Sequence, residues 1–348
     1  MTVRTELPDG SPVWLVTRYT DVRSLLADPR LSVDKSNGNG SWRGFSLPPA
    51  LDANLLNMDP PDHTRIRRLV SQAFTPRRVE ALRPLIQQTA DALLDALDGR
   101  AEADLVRDYA GPLPVTVISE LLGVPETDRP DFRTWTRTML LPPGGDRAAA
   151  ARAIGSIHAY LQRLLAVKRA APAGDLLSAL IAAREDGDRL TEDELTSLAF
   201  LLLIAGYENT VHAIGTGLLT LLSHPGTPVT PETVEELLSQ EPPASMLLRR
   251  FPVEDIEVGG AVLPRGETVL LVVSEANRDP DRQGGHLSFG HGVHYCVGAP
   301  LARAELEIAL GTALRRFPKM RLAIPAEEVR WLPSFRARGL SELPVLLG

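Results

Sequence analysis

Polar and apolar positions alternate at the start of the chain. Val3-Arg4-Thr5-Glu6-Leu7 and Val13-Trp14-Leu15-Val16-Thr17 flank the turn Pro8-Asp9-Gly10, which predicts a β-hairpin. The period then lengthens. Asp21 to Ala27 reads as a short helix closed by Pro29, and residues 36–49, rich in Asn, Gly, Ser and Pro, read as a loop. Asp59-Pro60-Pro61-Asp62 opens another helix with proline at its mouth. Spacings of three and four predict helices over 77–98, 113–123, 147–169 and 174–184, with loops at Pro125 and at Pro142-Pro143-Gly144-Gly145.

The longest pattern comes next. Thr191 and Glu194 form a capping box, flanked by the staple pair Leu190 and Leu195. From Leu195 to Leu222 the chain is apolar nearly all round, which predicts a helix running through the core. Val269 to Val273 reads as a buried strand. After Pro300, the series Ala302, Leu306, Ala309, Leu310, Ala313 and Phe317 predicts a last amphipathic helix. No repeat period and no linker interrupts this order, so residues 1–348 are expected to form one domain.

Composition narrows the class. With 348 residues, 44% of them hydrophobic, the chain can bury a large core. A net charge of −7 argues against nucleic acid as a partner. The N-terminal residues lack an apolar signal-like region, and one cysteine permits no internal disulfide; a cytoplasmic location is expected. The apolar run 198–222 is broken by Glu208, Asn209 and His212, which favours a core helix over a membrane span.

That one cysteine carries the candidate chemistry. Cys296 stands just before the helix opened by Pro300, where the helix dipole favours thiolate, the metal-ligating form. Gly290 and Gly292 suit a close backbone approach, and Gly298 a tight turn. Other readings stay open on these residues alone. A small buried hydrophobe is what most free cysteines are. Zinc has His286, His291 and His294 nearby but no second sulfur. A nucleotide loop lacks its third glycine.

The string Phe289-Gly-x-Gly-x-His294-x-Cys296-x-Gly298-x-x-Leu301-Ala302 resembles the haem-binding signature of the cytochrome P-450 family. The resemblance implies a mainly α fold with a small β-region, the haem lying between the long central helix and the cysteine-bearing loop and helix. It implies haem b (iron protoporphyrin IX) with Cys296 as the thiolate ligand, Phe289 beside it, and His294 on a propionate. His63-Thr-Arg-x-Arg67 after Asp-Pro-Pro resembles the family's propionate-binding helix, and Arg250, with Arg249 its neighbour, the propionate-binding strand. One of that arginine pair is expected at the surface. Ala205-Gly206-Tyr207-Glu208-Asn209-Thr210 resembles the oxygen-activating segment, with Glu208, Asn209 and Thr210 as catalytic candidates. Trp42, Phe45, Leu247 and Phe335 are implied pocket residues, though Trp42 and Phe45 read equally well as anchors of a surface loop.

Three departures stand out. Asn209 replaces the first threonine of the oxygen-activating segment. Ser239 replaces the arginine of Glu-x-x-Arg, whose glutamate is matched by Glu236. Only Asp281-Arg282-Gln283-Gly284-Gly285 separates Asn277-Arg278-Asp279-Pro280 from His286, so the loop before the cysteine is short. The implied activity is a monooxygenase acting on a small organic substrate of secondary metabolism. It would use O₂ and electrons from a ferredoxin or flavin-type donor, without nucleic acid or membrane. Arg303, Arg315 and Arg316 are an expected docking face for that donor. Oxidative coupling, peroxide use or rearrangement, and a non-catalytic helper role, are the alternatives.

Overall fold

The structure is a computed structural model that describes residues 1–42, 49–140, 145–183 and 188–348. Phe45 and the turn at Pro142-Pro143-Gly144 lie outside these residues. β1 (Thr2–Glu6) and β2 (Pro12–Val16) form the expected antiparallel hairpin, Thr2 opposite Val16 and Glu6 opposite Pro12. There follow α1 (Tyr19–Ala27), β3 (Leu31–Ser32), α2 (Pro49–Asp52), α3 (Asp62–Ala73), α4 (Pro76–Asp95) and β4 (Glu102–Asp104). The helical body comprises α5 (Pro112–Leu122), α6 (Arg129–Leu140), α7 (Arg147–Ala170), α8 (Leu176–Ala182), α9 (Glu192–Ser223) and α10 (Pro231–Gln240). Four short strands come next: β5 (Phe251–Pro252), β6 (Ile256–Val258), β7 (Ala261–Leu263) and β8 (Val269–Leu271). Finally come α11 (Val273–Asn277), α12 (Ala299–Arg316), β9 (Arg321–Leu322) and β10 (Pro344–Leu346).

Local chemistry explains the boundaries. Thr75 caps α4 by accepting from Arg78 N, with Pro76 in the first turn, so the helix starts a residue before the spacing suggested. The capping box of α9 is complete, Thr191 accepting from Glu194 N and Glu194 accepting from Thr191 N. Gly123 ends α5 at φ +70°, a conformation that favours glycine. The spacing analysis omitted α6. Its inward face is Phe132, Thr136 and Met139, and the threonine disguises the apolar period. The Thr136 hydroxyl is buried because it donates back to Phe132 O at 2.8 Å.

The core is built around α9. Leu198, Phe200, Leu203, Ile214 and Leu218 are buried on several sides of it, and α5, α7 and α12 pack against it. Its length and composition would suit a membrane span, but its apolar side chains are spent inside the fold. The sheets are peripheral. β2 pairs in parallel with β8, Trp14 opposite Val269, and β10 joins β4 to β9. A second, smaller cluster, including Val22, Leu25, Ile256 and Leu271, ties α1 to the strands.

One core residue is chemically anomalous. Glu305 of α12 is 3% exposed, its Oε2 has no partner, and burial pushes its carboxyl well above the usual 4.5. The unfolded chain releases this proton near the ordinary value whereas the folded chain keeps it. The residue therefore costs stability as pH rises above that value, and costs nothing below it. Glu305→Gln is expected to raise the melting temperature at pH 8 and to leave it nearly unchanged at pH 4. Equal shifts at both values in a thermal denaturation series would refute the assignment.

Candidate active site

The cysteine loop is held from both sides. Gly290 and Gly292 have φ of +74° and +72°, and a Cβ on Gly292 would lie 2.7 Å from Leu26 O at the end of α1. Their role is thus a left-handed turn packed on α1. Gly298 needs no such freedom, having φ −83° as the N-cap of α12. Cys296 N donates to Phe289 O at 2.9 Å, and the Phe289 ring carries the Arg303 guanidinium 4.5 Å from its centroid. Cys296 is a free cysteine, exposed as a residue. The protein packed around its sulfur pushes the thiol pKa up. The backbone N–H groups of Gly298 and Ala299, with Arg67 and Arg303, oppose that only in part.

Next to the sulfur lies a set of cations short of anions. His63 of α3 is 2% exposed, and neither ring nitrogen has a hydrogen bond. Its ring sits 4.3 Å from that of His294, whose Nδ1 meets Leu55 O at 3.2 Å. Burial, with the charges of Arg250 and His63, pushes His294 down to about 4. Arg67, one turn beyond His63, feels the charge of Cys296, and burial lowers its pKa. Arg250 is 6% exposed with Nε unpartnered, and burial lowers its guanidinium to about 10. Arg249 is also buried and donates to Asn57 Oδ1 at 3.1 Å, so neither arginine of the pair is at the surface. The nearby Asp59 is committed to Ser32 Oγ and Val33 N. A cofactor bearing carboxylates and an iron fits this arrangement: one sulfur ligand, and buried donor nitrogens that no acid among the described residues hydrogen-bonds.

The central helix presents a different wall. Ala205 and Asn209, four apart, are exposed in the middle of an otherwise buried helix, and α12 after the cysteine packs on that same helix. Gly206 is not on this open face; a Cβ there would lie 3.1 Å from Ile118 Cδ1 of α5. Thr210 is buried and donates to Gly206 O at 3.1 Å, which turns its hydroxyl back to the helix. Asn209 Nδ2 reaches Ala205 O at 3.5 Å. Burial pushes the Glu208 carboxyl up, but contact with His212 and the charge of Arg336 prevail and hold it below its ordinary value.

The remaining candidates scatter. Trp42 packs on the Leu7–Val13–Leu270 cluster, as a loop anchor does. Leu247 packs on the smaller core and donates its N–H to Leu271 O, while Phe335 is exposed. The expected docking face is dispersed. Arg303 is paired with Glu235, Arg315 with Thr312, and Arg316 with Asp95 and Asp98. A groove of about 680 Å³ lined by Tyr19, Arg23, Asp28, Gln283 and His291 lies outside this site, beside the short loop.

Sequence reasoning missed the residues that replace Glu-x-x-Arg. Glu235, not Glu236, carries the paired charge, contacting Arg303 and His286; Glu236 accepts only from Gln240. Arg282 of the short loop donates to Ser239 Oγ at 2.6 Å and to Asn277 O at 3.0 Å. Asn277 Nδ2 donates to Ser239 O and Ser288 Oγ, and Ser288 Oγ donates to Leu238 O. These bonds pin the end of α10 to the segment entering the cysteine loop. No local signal marks Arg282, because its partners lie far away in sequence.

Comparison with known proteins places this site in context. The family model for cytochrome P-450 matches residues 115–228 and 281–322. Cytochrome P-450 107B1 of Saccharopolyspora erythraea is 45% identical over 370 aligned residues, covering 98% of this chain and 90% of that protein. The cytochrome P-450 monooxygenase PikC of Streptomyces venezuelae is 45% identical, covering 98% and 87%. Among solved structures, the PksS cytochrome P-450 of the Bacillus subtilis bacillaene polyketide synthase superposes with a TM-score of 0.90 at 38% identity, over 100% of this chain and 93% of that one. The 370 aligned positions exceed the 348 residues here, so this chain lacks segments that the relative carries within the aligned span.

A test follows from the Arg282 contacts. Ser239→Arg would set a second guanidinium against the one already on Ser239 Oγ, with no added acid to pair it. We expect a loss on the order of 1–3 kcal/mol, measured as a lowered denaturation midpoint. The double change Ser239→Arg, Arg282→Ala should recover part of it. A higher midpoint in the single variant would sink this account.

Proposed function

The chain belongs to the cytochrome P-450 family, and on that premise we propose how its residues serve a monooxygenase acting on a small organic molecule. The observation that carries the reading is Cys296 beside buried basic side chains, His63 and Arg250, whose ring and Nε nitrogens have no hydrogen-bond partner among the described residues. When bound, haem supplies the redox chemistry: with a thiolate ligand it favours O–O cleavage, so that O₂, two electrons and two protons give one oxidised product and one water. Haem b suits these residues because its two carboxylates match the unpaired donors.

Cys296 is the iron ligand, and the ion's own charge offsets the burial that otherwise holds the thiol protonated. Arg67, Arg250, His63 and His294 bind the propionates. Before binding, their desolvation is uncompensated; afterwards each has a charge-assisted hydrogen bond. Ala205 and Asn209 border the oxygen-side space, and Glu208, kept ionised, is the carboxylate able to take a proton from the interior and release it toward that space. Asn209 offers donor and acceptor on separate atoms, so it orients a water or a substrate polar group and leaves proton transfer to Glu208.

Relatives include proteins named 6-deoxyerythronolide B hydroxylase and mycinamicin IV hydroxylase/epoxidase. A polyketide-type secondary metabolite is accordingly the substrate class proposed here, with a separate ferredoxin or flavin protein as electron donor. Asn209 is the one observation that favours a second reading, oxidative coupling or peroxide use, in which proton delivery matters less. Glu208→Ala separates them: a severe loss of O₂-dependent turnover supports hydroxylation, and a mild loss supports the second.

The ligand assignment is checked by spectroscopy. The reduced, carbon monoxide-bound protein should show the red-shifted Soret band of a thiolate ligand, lost in Cys296→Ala; a histidine-type band in the unaltered protein would refute it. Arg67→Ala should weaken haem retention by roughly 1.5–3 kcal/mol, or about 10- to 100-fold, in a haem-transfer assay. Arg65→Ala should not, since Arg65 faces Asp188 and Glu194 instead and its loss should lower only thermal stability. Equal haem loss in both would contradict the facing of α3.

A further inference from the structure

His212 stands one helical turn beyond Glu208 on α9 and is 5% exposed. Neither ring nitrogen has a hydrogen-bond partner among the described residues, yet Nε2 lies 3.7 Å from Glu208 Oε1. A buried imidazole with no partner is costly unless its environment uses it. The ring is also clamped. A Cβ on Gly339 would fall 2.1 Å from Nδ1 and 2.6 Å from Cε1, so only glycine fits there. Gly339 is itself fixed, its carbonyl accepting from Leu332 N at 2.9 Å beside the Trp331–Leu340 bridge.

We propose that His212 is a positioning residue for Glu208, forming with it a carboxylate–imidazole pair that shares one proton behind the open face of α9. The inference rests on the reading of Glu208 given above. With Thr210 turned to the backbone and Asn209 lacking a hydroxyl, the helix has no alcohol on that face to hold the proton donor in place. His212 does it from behind. The i, i+4 spacing puts the ring beside the carboxylate, and the Gly339 backbone stops the ring from turning away. In the ionised form, Nε2–H faces Oε1; moving that proton leaves neutral imidazole and neutral carboxyl, so the charge of the pair is conserved. Other charges around it are Arg336 on the same loop as Gly339, Arg249 facing Arg336, and Arg338, which is stacked on Trp331 and paired with Glu241. Tyr207 on α9 also faces Glu208, with Arg133 and Arg137 of α6 beyond it.

The test uses the holoenzyme in its diamagnetic ferrous carbon monoxide form, labelled with ¹⁵N-histidine. The His212 Nε2 nucleus should show the ring signal of an N–H bonded to a carboxylate in the unaltered protein and lose it in Glu208→Gln. An identical Nε2 signal in both overturns the proposal. In parallel, peroxide released per NADPH oxidised is measured with O₂ and a surrogate ferredoxin and reductase. His212→Asn should raise it roughly tenfold, part of the ~10²-fold a positioned acid contributes. Glu208→Gln should do the same, and the double variant should be no worse than either. Additive effects would overturn the pairing. A protein without the thiolate-type carbon monoxide band would refute the assigned function, whereas the His212 Nε2 signal would still decide this proposal.

Discussion

Basic side chains drawn together with no ion-pair partner among the described residues are the condition on which this structure depends. Arg67, Arg249, Arg250, His63 and His294 come from three separate regions of the chain, and the fold draws them together around the cysteine loop. Water has been taken from these groups, and the acids near them are spent elsewhere, Asp59 on Ser32 and Asp52 on Lys35. Such an arrangement is unfavourable for the protein alone and favourable with a carboxylate-bearing cofactor in place. On the proposed assignment, haem retention is expected to depend on these side chains as well as on the sulfur.

The cysteine loop shows how a fold can replace a missing part. A short connection leaves few residues to order the loop, yet Arg282, Asn277 and Ser288 weld it to the end of α10 through hydrogen bonds of 2.6–3.0 Å. Glu235 and Arg303 add a paired contact from the other side, with the guanidinium stacked on Phe289. The serine at 239 is thus a site that receives an arginine rather than supplying one. The exchange keeps a guanidinium at this junction while shortening the chain that carries it.

Along α9 the same helix does structural and chemical work on different faces. Its buried sides unite α5, α7 and α12, which makes it rigid. Its open positions, Ala205 and Asn209, are consequently held in a fixed place, with Glu208 and His212 side by side on the same helix. A loop could carry the same residues, but would not hold them at a constant distance from the neighbouring helix.

What the sequence determined by itself were the features encoded over short spans. The hairpin, the capped core helix, the cysteine before a proline-started helix and the helix carrying His63 and Arg67 four apart all depend on neighbours within a few residues, and each is present in the structure. The resemblance carried by the cysteine string extended this to the family. Tertiary structure decided everything that depends on partners distant in sequence. It buried Arg249 along with Arg250, lowered the pKa of His294 by desolvation, turned Thr210 inward and Asn209 outward, and tied up the three arginines expected to dock a partner. It also passed the paired charge from Glu236 to Glu235, because adjacent helical residues point about 100° apart and only one can face Arg303. Composition and period record which residues are apolar; desolvation and charge pairing depend on what lies across the gap, and only the folded chain brings the two sides together.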